Sequence, residues 1–287
     1  MKFKLNPIEK FVIANNKLLK IVVMVLYFFA LCLRNDNAVV GTVATLITFF
    51  GLFYIFMLPT LKNYQLAKLN DIDLNIYHVL NGMTELLTIT DPKDLQSITG
   101  YFVGRIVALI NIGDFDTAEQ EIKLFWQKYD LKKVNLLYLV QTHAIMANIA
   151  LEKGDRDLFE SEMQIVYNYG KNPAMVGVFK HSYNHLVKDR QLGVEAYDAT
   201  LNSNAQDFET RVFEYLNTNP LNGKPLKKAP KPMYSLMAYN HLFMFYKNQN
   251  NVEKATYYAQ QVVNIGNEQL FDYRRAKEYI ENGNSSN

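Results

Sequence analysis

The chain has 287 residues, 49% of them hydrophobic, which is enough for one or two domains with a sizeable core. Its formal net charge of +2 divides into +4 for the first 59 residues and −2 for the remainder. Nucleic-acid binding requires a clustered positive surface, so the near-neutral remainder argues against a nucleic-acid partner. The single cysteine, Cys32, excludes an intramolecular disulfide and a cysteine-based zinc site. Abundant lysine and asparagine are typical of AT-rich codons and indicate a bacterial source.

Two apolar segments dominate the first 59 residues. The stretch from Ala38 to Leu58 contains 21 residues without a charge, and about 20 apolar residues cross the hydrocarbon core of a bilayer as a helix. The preceding segment, Ile21 to Leu33, reaches that length if the two leucines before it are included and the adjacent lysines extend to the interface. We therefore predict a transmembrane helical hairpin over residues 18–58, after a basic N-terminal flank of residues 1–17.

Two alternative readings of the first apolar segment each lack a required feature. A cleaved signal peptide has a basic start and a short apolar stretch, but here a second span follows after four polar residues and no small-residue cleavage pattern precedes it. A lipoprotein signal needs a small residue before the cysteine, where this chain has Leu31. We therefore interpret Cys32 as a packing residue.

The basic residues around the hairpin predict its orientation, because lysines and arginines in short flanks stay on the cytoplasmic side. Five lysines precede the first span, and Lys62 and Lys68 follow the second. The turn between the spans, at residues 34–37, carries only Arg34. We therefore expect a cell-membrane protein with two spans and both termini in the cytoplasm.

After the second span, the sequence pattern is typical of a water-soluble helical protein. Pro59 permits a bend, and residues 59–94 contain amphipathic segments that we interpret as connecting helices. Helical periodicity then continues almost to the C-terminus, without an alternating strand pattern of useful length. We predict an all-α domain over residues 95–281 and a disordered tail over residues 282–287.

Short turns divide this domain into helical hairpins. Gly113 and Gly154 are each followed by an aspartate; the glycine tolerates the left-handed conformation that ends a helix, and the aspartate caps the next one. Asn250, followed by a second asparagine, fits the same roles. We expect a further hairpin turn, without a glycine, around residues 188–191.

The turn at residues 113–116, Gly-Asp-Phe-Asp followed by Ala118, resembles the hairpin turn of the tetratricopeptide repeat family. The turn at residues 251–255 matches that pattern more loosely. The resemblance covers about residues 95–281 and implies a solenoid of α-hairpins with a concave binding groove. The two glycine turns are 41 residues apart, against about 34 in the family. An irregular α-helical domain is therefore the alternative.

One segment of the domain is predicted to be non-helical. Residues 219–232 contain four prolines, four lysines and no acid, so we expect an extended surface loop. The loop is either a solvated connector or a contact with anionic lipid, in which each lysine near the membrane contributes about 1 kcal/mol. The candidate lipid contacts are Lys224, Lys227, Lys228 and Lys231.

Motifs for catalysis or cofactor binding are not evident in the sequence, which has no glycine-rich phosphate loop, nucleophile elbow or Cys-His pairing. His181 and His185 lie one helical turn apart and could bind a divalent metal. Ser182 occupies the position where a zinc hydrolase has glutamate, and no third ligand is evident. We therefore expect no enzyme activity, no cofactor and no metal site.

The resemblance also implies which side chains face a partner, because the first helix of each repeat hairpin lines the groove. Amides there could bind a peptide backbone, and a lysine or histidine could receive a carboxylate. The positions that map to this side are Gln141, Asn148, His181, His185, Asn240 and Lys247.

These features favour a membrane-anchored scaffold or adaptor that presents a cytoplasmic helical-repeat groove to a protein or peptide. A second hypothesis is a membrane-tethered sensor that binds a peptide or small ligand and signals through the transmembrane hairpin. A third is an enzyme whose site is not recognisable from the sequence.

Overall fold

Thirteen α-helices and one short 3-10 turn form the described part of the chain, which is residues 3–36 and 38–284 of a computed structural model. The all-α prediction is confirmed for these residues. The helices are α1 Pro7–Ala14, α2 Asn16–Asp36, α3 Ala38–Asp71, α4 Ile76–Ile89, α5 Leu95–Ile112, α6 Phe115–Lys128, α7 Leu136–Glu152, α8 Arg156–Gly170, α9 Gly177–Tyr197, α10 Ala205–Leu216, α11 Pro232–Asn248, α12 Val252–Ile265 and α13 Phe271–Asn284.

Helices α2 and α3 pack side by side as an antiparallel hairpin. Asn16, at the start of α2, contacts Ile55 of α3, whereas Val23, two turns later, lies against Gly51. Large apolar side chains are exposed on the outer surface of the hairpin, among them Ile21, Val25, Phe28, Val39, Phe50 and Phe53. Such a surface is consistent with contact between the hairpin and the hydrocarbon of a membrane.

Two helices, α3 and α5, are long and apolar enough to cross a membrane, and α1 with α2 meets the same test as a bent pair. Only 11% of the most apolar window of α3 is buried, against 44% of that of α5. The apolar side chains of α5, including Ile106 and Leu109, pack in the core of the helical domain. The exposed apolar hairpin is thus consistent with a membrane protein, whereas burial in the domain accounts for the composition of α5.

Helix α3 continues through Pro59 as one element of 34 residues, about 51 Å long at 1.5 Å per residue. A proline inside a helix cannot donate to the carbonyl four residues earlier, which here is that of Ile55. The side-chain amide of Asn16 donates to this carbonyl at 3.0 Å. The first of the predicted connecting helices is therefore an extension of the second span, and only α4 is a separate helix.

The segment predicted as a basic flank contains a short helix, α1. Asn6 caps it by accepting from the backbone of Glu9 at 2.9 Å, and Pro7 occupies the first helical position, where no N–H donor is needed. An ion pair of 2.7 Å joins Glu9 to Lys62 of α3. Lys62 is only 7% exposed, so this pair fixes α1 against the part of α3 that follows Pro59.

The three turns predicted from glycine and asparagine share one geometry. Gly113, Gly154 and Asn250 have φ angles of 81°, 73° and 56° in the left-handed region. The next residue in each turn accepts a hydrogen bond from the backbone N–H three positions later, at 3.3, 3.0 and 3.1 Å. These contacts end one helix and cap the next, as expected. The relation of the hairpins to tetratricopeptide repeats stays a prediction.

The hairpin turn expected around residues 188–191 is wrong. Helix α9 runs without interruption from Gly177 to Tyr197, because residues 188–191 contain no proline or glycine that would break it and Asp189 is 3% exposed in the interior of the domain. The turn lies further on, where Asn204 caps α10 by accepting from the backbone of Asp207.

The C-terminal helix α13 returns to the first hairpin of the domain. Phe271 lies edge-on to Phe115, with ring centroids 5.1 Å apart, and Arg274 donates to the backbone carbonyl of Ile112 at 2.7 Å. Helix α13 therefore packs against α5 and α6 at the start of the domain. Helix α13 includes residues 282–284 of the predicted tail, and residues 285–287 lie outside the described part.

We expect the substitution Asn16→Ala to destabilise the protein by about 1–3 kcal/mol, because it leaves the Ile55 carbonyl without a donor. The double variant Asn16→Ala with Pro59→Ala should recover most of this loss, since residue 59 then donates its own N–H to Ile55. Thermal unfolding of the full chain in detergent measures both. A double variant no more stable than Asn16→Ala alone would contradict this account of α3.

Candidate functional site

A cavity of about 300 Å³ lies at the centre of the helical domain. Its walls come from α5, α7, α9 and α11, the first helices of the four hairpins, which pack against one another in chain order. Helix α13 and the last residues of α3 complete the walls. The cavity therefore collects side chains from the first helix of each hairpin, from α13 and from the end of α3.

The residues of α7 show how a helix presents one stripe to the cavity. Gln141, Ile145, Asn148 and Glu152 line it, and their spacing of four, three and four residues places them on one face. The stripe is mostly polar, whereas Met233, Met237 and Met244 are among the lining residues of α11 on another wall. The cavity can therefore contact both polar groups and a flexible apolar group.

Arg275 of α13 is the centre of one buried ion cluster on the wall. Its guanidinium lies 2.9 Å from Glu152 and 2.7 Å from Asp272. It also donates to the Tyr197 hydroxyl at 2.9 Å and to the amide oxygen of Asn240 at 3.1 Å. Burial lowers the pKa of Arg275, but the two carboxylates raise it more, and the net pKa lies above its ordinary value. The cation is thus permanently charged.

The Arg275 cluster also changes the pKa values of Glu152 and Tyr197. Burial raises the pKa of the Glu152 carboxyl, and the positive charge of Arg275 opposes that shift without cancelling it. Burial, with the nearby Glu152 carboxylate, also raises the pKa of the Tyr197 hydroxyl above its ordinary value. Tyr197 therefore stays protonated and acts as a hydrogen-bond donor or acceptor.

Asp189 of α9 forms a second buried cluster. Its carboxylate lies 2.6 Å from the guanidinium of Arg190 and 3.0 Å from Nε2 of His241. Burial alone would raise its pKa, but Arg190 and the hydrogen bond to His241 hold the pKa of Asp189 well below its ordinary value. The carboxylate is therefore ionised and is compensated by the guanidinium of Arg190 and by its hydrogen bond with His241.

Three buried polar atoms, two of cavity-lining residues and one of Arg275 beside them, have no hydrogen-bond partner within the described part of the chain. They are Oε1 of Gln141, an acceptor, and Nε of Arg190 and of Arg275, both donors. A buried polar group without a partner costs about 1–3 kcal/mol. Two of these atoms belong to residues that line the cavity, an acceptor in Gln141 and a donor in Arg190, whereas Arg275 is bonded to the lining residues Glu152 and Asp272.

The structure places the six predicted groove residues in two sets. Gln141, Asn148 and Asn240 line the cavity, and Asn240 already accepts a hydrogen bond from Arg275. His181, His185 and Lys247 lie outside it. The mapping from the repeat resemblance therefore brings together only the three amides.

The three remaining groove candidates have other neighbours. The ring of His185 lies 4.3 Å from that of Tyr215, and burial lowers the pKa of its imidazole. His181 is exposed beside the loop glycine Gly223, and Lys247 is exposed on α11. The two histidines thus face different surroundings, and among the described residues no three His, Cys, Asp or Glu side chains are grouped as metal ligands.

The lysine-rich loop is non-helical and begins with a small bridge between Thr218 and Pro225. Lys224, Lys227 and Lys228 are exposed. Lys231 is engaged instead with Asp71, the last residue of α3, at 2.7 Å. Of the four candidate lipid contacts, Lys231 therefore connects the loop to the cavity wall.

Several functional candidates were not identified from the sequence. Asp189 and Arg190 fell within the expected turn, and Arg275 gave no signal because a charged residue near the end of an amphipathic helix is usually solvated. Asn70 and Asp71 line the cavity at the end of α3, although they follow an apparent membrane anchor. Each of these side chains became recognisable only from its spatial neighbours.

We expect Arg275→Met to destabilise the protein by about 3–5 kcal/mol, because it leaves the buried carboxylates of Glu152 and Asp272 without their cation. Lys277→Met on the same helix removes an exposed pair of 3.7 Å with Glu268 and should cost less than about 1 kcal/mol. Thermal unfolding of both variants measures the difference between their losses of stability. Equal midpoints would show that the Arg275 cluster is not a structural connection.

Comparison with protein-family models, curated proteins and solved structures found no match to this chain. The geometry of the cavity, the two ion clusters at its lining residues and the unpartnered atoms of Gln141 and Arg190 therefore carry the functional interpretation by themselves.

Proposed function

We propose that this protein is a membrane-tethered receptor, in which the cavity binds a short peptide segment or another small amide-bearing ligand and the hairpin transmits its presence to the membrane. One observation carries the proposal. Helix α3 is a continuous rod that is apolar enough to span the bilayer at one end and lines the cavity through Asn70 and Asp71 at the other.

The chemistry of the wall supports an amide-bearing ligand. An amide presents one N–H donor and one carbonyl acceptor. Among the lining residues, Gln141 has an unpartnered acceptor and Arg190 has an unpartnered donor. The nearby side-chain amide of Asn148 can act in either role. A purely anionic ligand would find both guanidinium groups already paired with carboxylates.

The size of the site supports a short ligand over an extended chain. A volume of about 300 Å³ lies at the lower end of the range for small-molecule pockets. Helix α13 contributes Phe271 and Asp272 to the lining, and Phe271 packs on Phe115. A scaffold role fits the same site when the bound group is the terminus of a partner protein.

A route for transmission is present in the contacts around the end of α3. Asn111 of α5 donates to Asn70 at 3.3 Å, and Lys231 pairs with Asp71 at 2.7 Å. If Asn70 and Asp71 can adopt two positions relative to α5 and the loop, a ligand that binds one of these conformations more tightly increases its population. Because α3 is a single helix, a displacement at Asp71 also moves the membrane segment.

The receptor domain faces the cytoplasm in this proposal. The lysine-rich flanks of the hairpin favour two spans with both termini inside. A cytoplasmic domain that is tethered by two helices binds its ligands close to the membrane surface.

A cavity-filling variant tests the ligand site. We expect a pooled library of tripeptides to raise the thermal midpoint of the full chain in detergent, with about 2.7 kcal/mol of stabilisation at a ligand concentration of 100 Kd. Asn148→Trp should abolish this shift because the indole occupies the cavity. The matched control Gln164→Trp, at an exposed position of α8, should retain it. A peptide shift that survives in Asn148→Trp would refute the assignment.

The orientation is tested with reporters fused after Asn287. A reporter that is active only in the cytoplasm should be active at this position, and one that is active only outside the membrane should be inactive. The reverse pattern would place the cavity on the outer side and would contradict the proposed cytoplasmic receptor.

A further inference from the structure

The short helix α1 has a direction that differs from that of the membrane hairpin. It is separated from α2 by Asn15 alone, and the two helices make an angle of 86°. Transmembrane helices tilt by about 20° from the bilayer normal on average. When α2 crosses the bilayer, α1 therefore lies close to the membrane plane.

The two faces of α1 have different surroundings. Leu5, Val12 and Ile13 are buried against the protein. On an adjacent face, Ile8 and Phe11 are 67% and 59% exposed. Two large apolar side chains on an eight-residue helix thus have no protein partner in the described structure.

The orientation of α1 is fixed by charged contacts. Glu9 pairs with the buried Lys62 of α3 at 2.7 Å, and Lys10 pairs with Glu85 of α4 at 2.7 Å. Rotation of α1 that buried Ile8 and Phe11 against the protein would separate Glu9 from Lys62. The exposed apolar face is therefore a persistent feature of the fold.

The exposed apolar face of α1 continues into the exposed apolar surface of α2. Leu18 and Ile21, at the start of α2, are 60% and 58% exposed. Lys4 and Lys17 are exposed on either side of α1, where lysines can meet the phosphates of anionic lipids. An amphipathic helix with apolar side chains on one face and lysines beside them is typical of binding at the membrane interface.

We infer that α1 is an interfacial membrane helix, whose Ile8 and Phe11 insert at the boundary between headgroups and acyl chains in the leaflet that α2 enters. This inference is independent of the ligand in the cavity. Through Glu9 and Lys10, the helix connects the membrane surface to both α3 and α4, so it sets the orientation of the domain relative to the bilayer.

Depth measurements with a nitroxide spin label test this inference on the full chain in liposomes that contain anionic lipid. The background variant is Cys32→Ser, which removes the single native thiol. Phe11→Cys carries the label, and Ile8→Cys is an independent second site on the same face. Leu201→Cys, 76% exposed in the turn after α9, is the aqueous reference, and Phe50→Cys, 64% exposed on α3, is the hydrocarbon reference.

We expect labels at positions 11 and 8 to collide several-fold less often with a water-soluble nickel complex than the label at position 201 does. Their collisions with oxygen should be fewer than those of the label at position 50. Equality with position 201 would show that α1 lies in water, and equality with position 50 would show that α1 enters the hydrocarbon as part of a broken span. Either result overturns the interfacial assignment.

Discussion

The hydrogen bond from the Asn16 side chain to the Ile55 carbonyl is the contact on which the architecture depends. Pro59 removes the backbone donor for that carbonyl, and an unpaired carbonyl near the membrane interface is costly because little water can replace the missing partner. Asn16 supplies the donor at 3.0 Å. Helix α3 can therefore continue from the apolar hairpin into the helical domain as one rod.

The continuity of α3 explains why the proposed function combines a membrane anchor with a binding site. Asp71 ends the rod at the cavity wall and pairs with Lys231. The opposite wall depends on Arg275, which joins α13 to Glu152 of α7 and to Asn240 of α11. Buried charges of this kind stabilise a fold only when every partner is present. Ligand contacts at these groups would thus act on elements that are already connected to the hairpin.

Local features could be predicted from the sequence because their causes lie within a few residues. A left-handed residue followed by a capping side chain defines each turn at Gly113, Gly154 and Asn250, and the structure has this geometry at all three. The turn expected at residues 188–191 had no such signal, and α9 passes through it. Of the predicted groove residues, Gln141, Asn148 and Asn240 reach the cavity, since helical spacing predicts a face but not what packs against it.

The sequence by itself determined the helical class and the apolar hairpin, because an uncharged run of 21 residues and the period of the helical segments are properties of neighbouring positions. Only the tertiary structure decided the passage of α3 through Pro59, the packing of α13 against α5 and α6 and the composition of the cavity. These features join residues as distant as Asp71 and Lys231, or Glu152 and Arg275. Their pairing depends on how whole helices pack. Residues so far apart in the chain are not related by the helical period, so the sequence pattern does not predict that they meet.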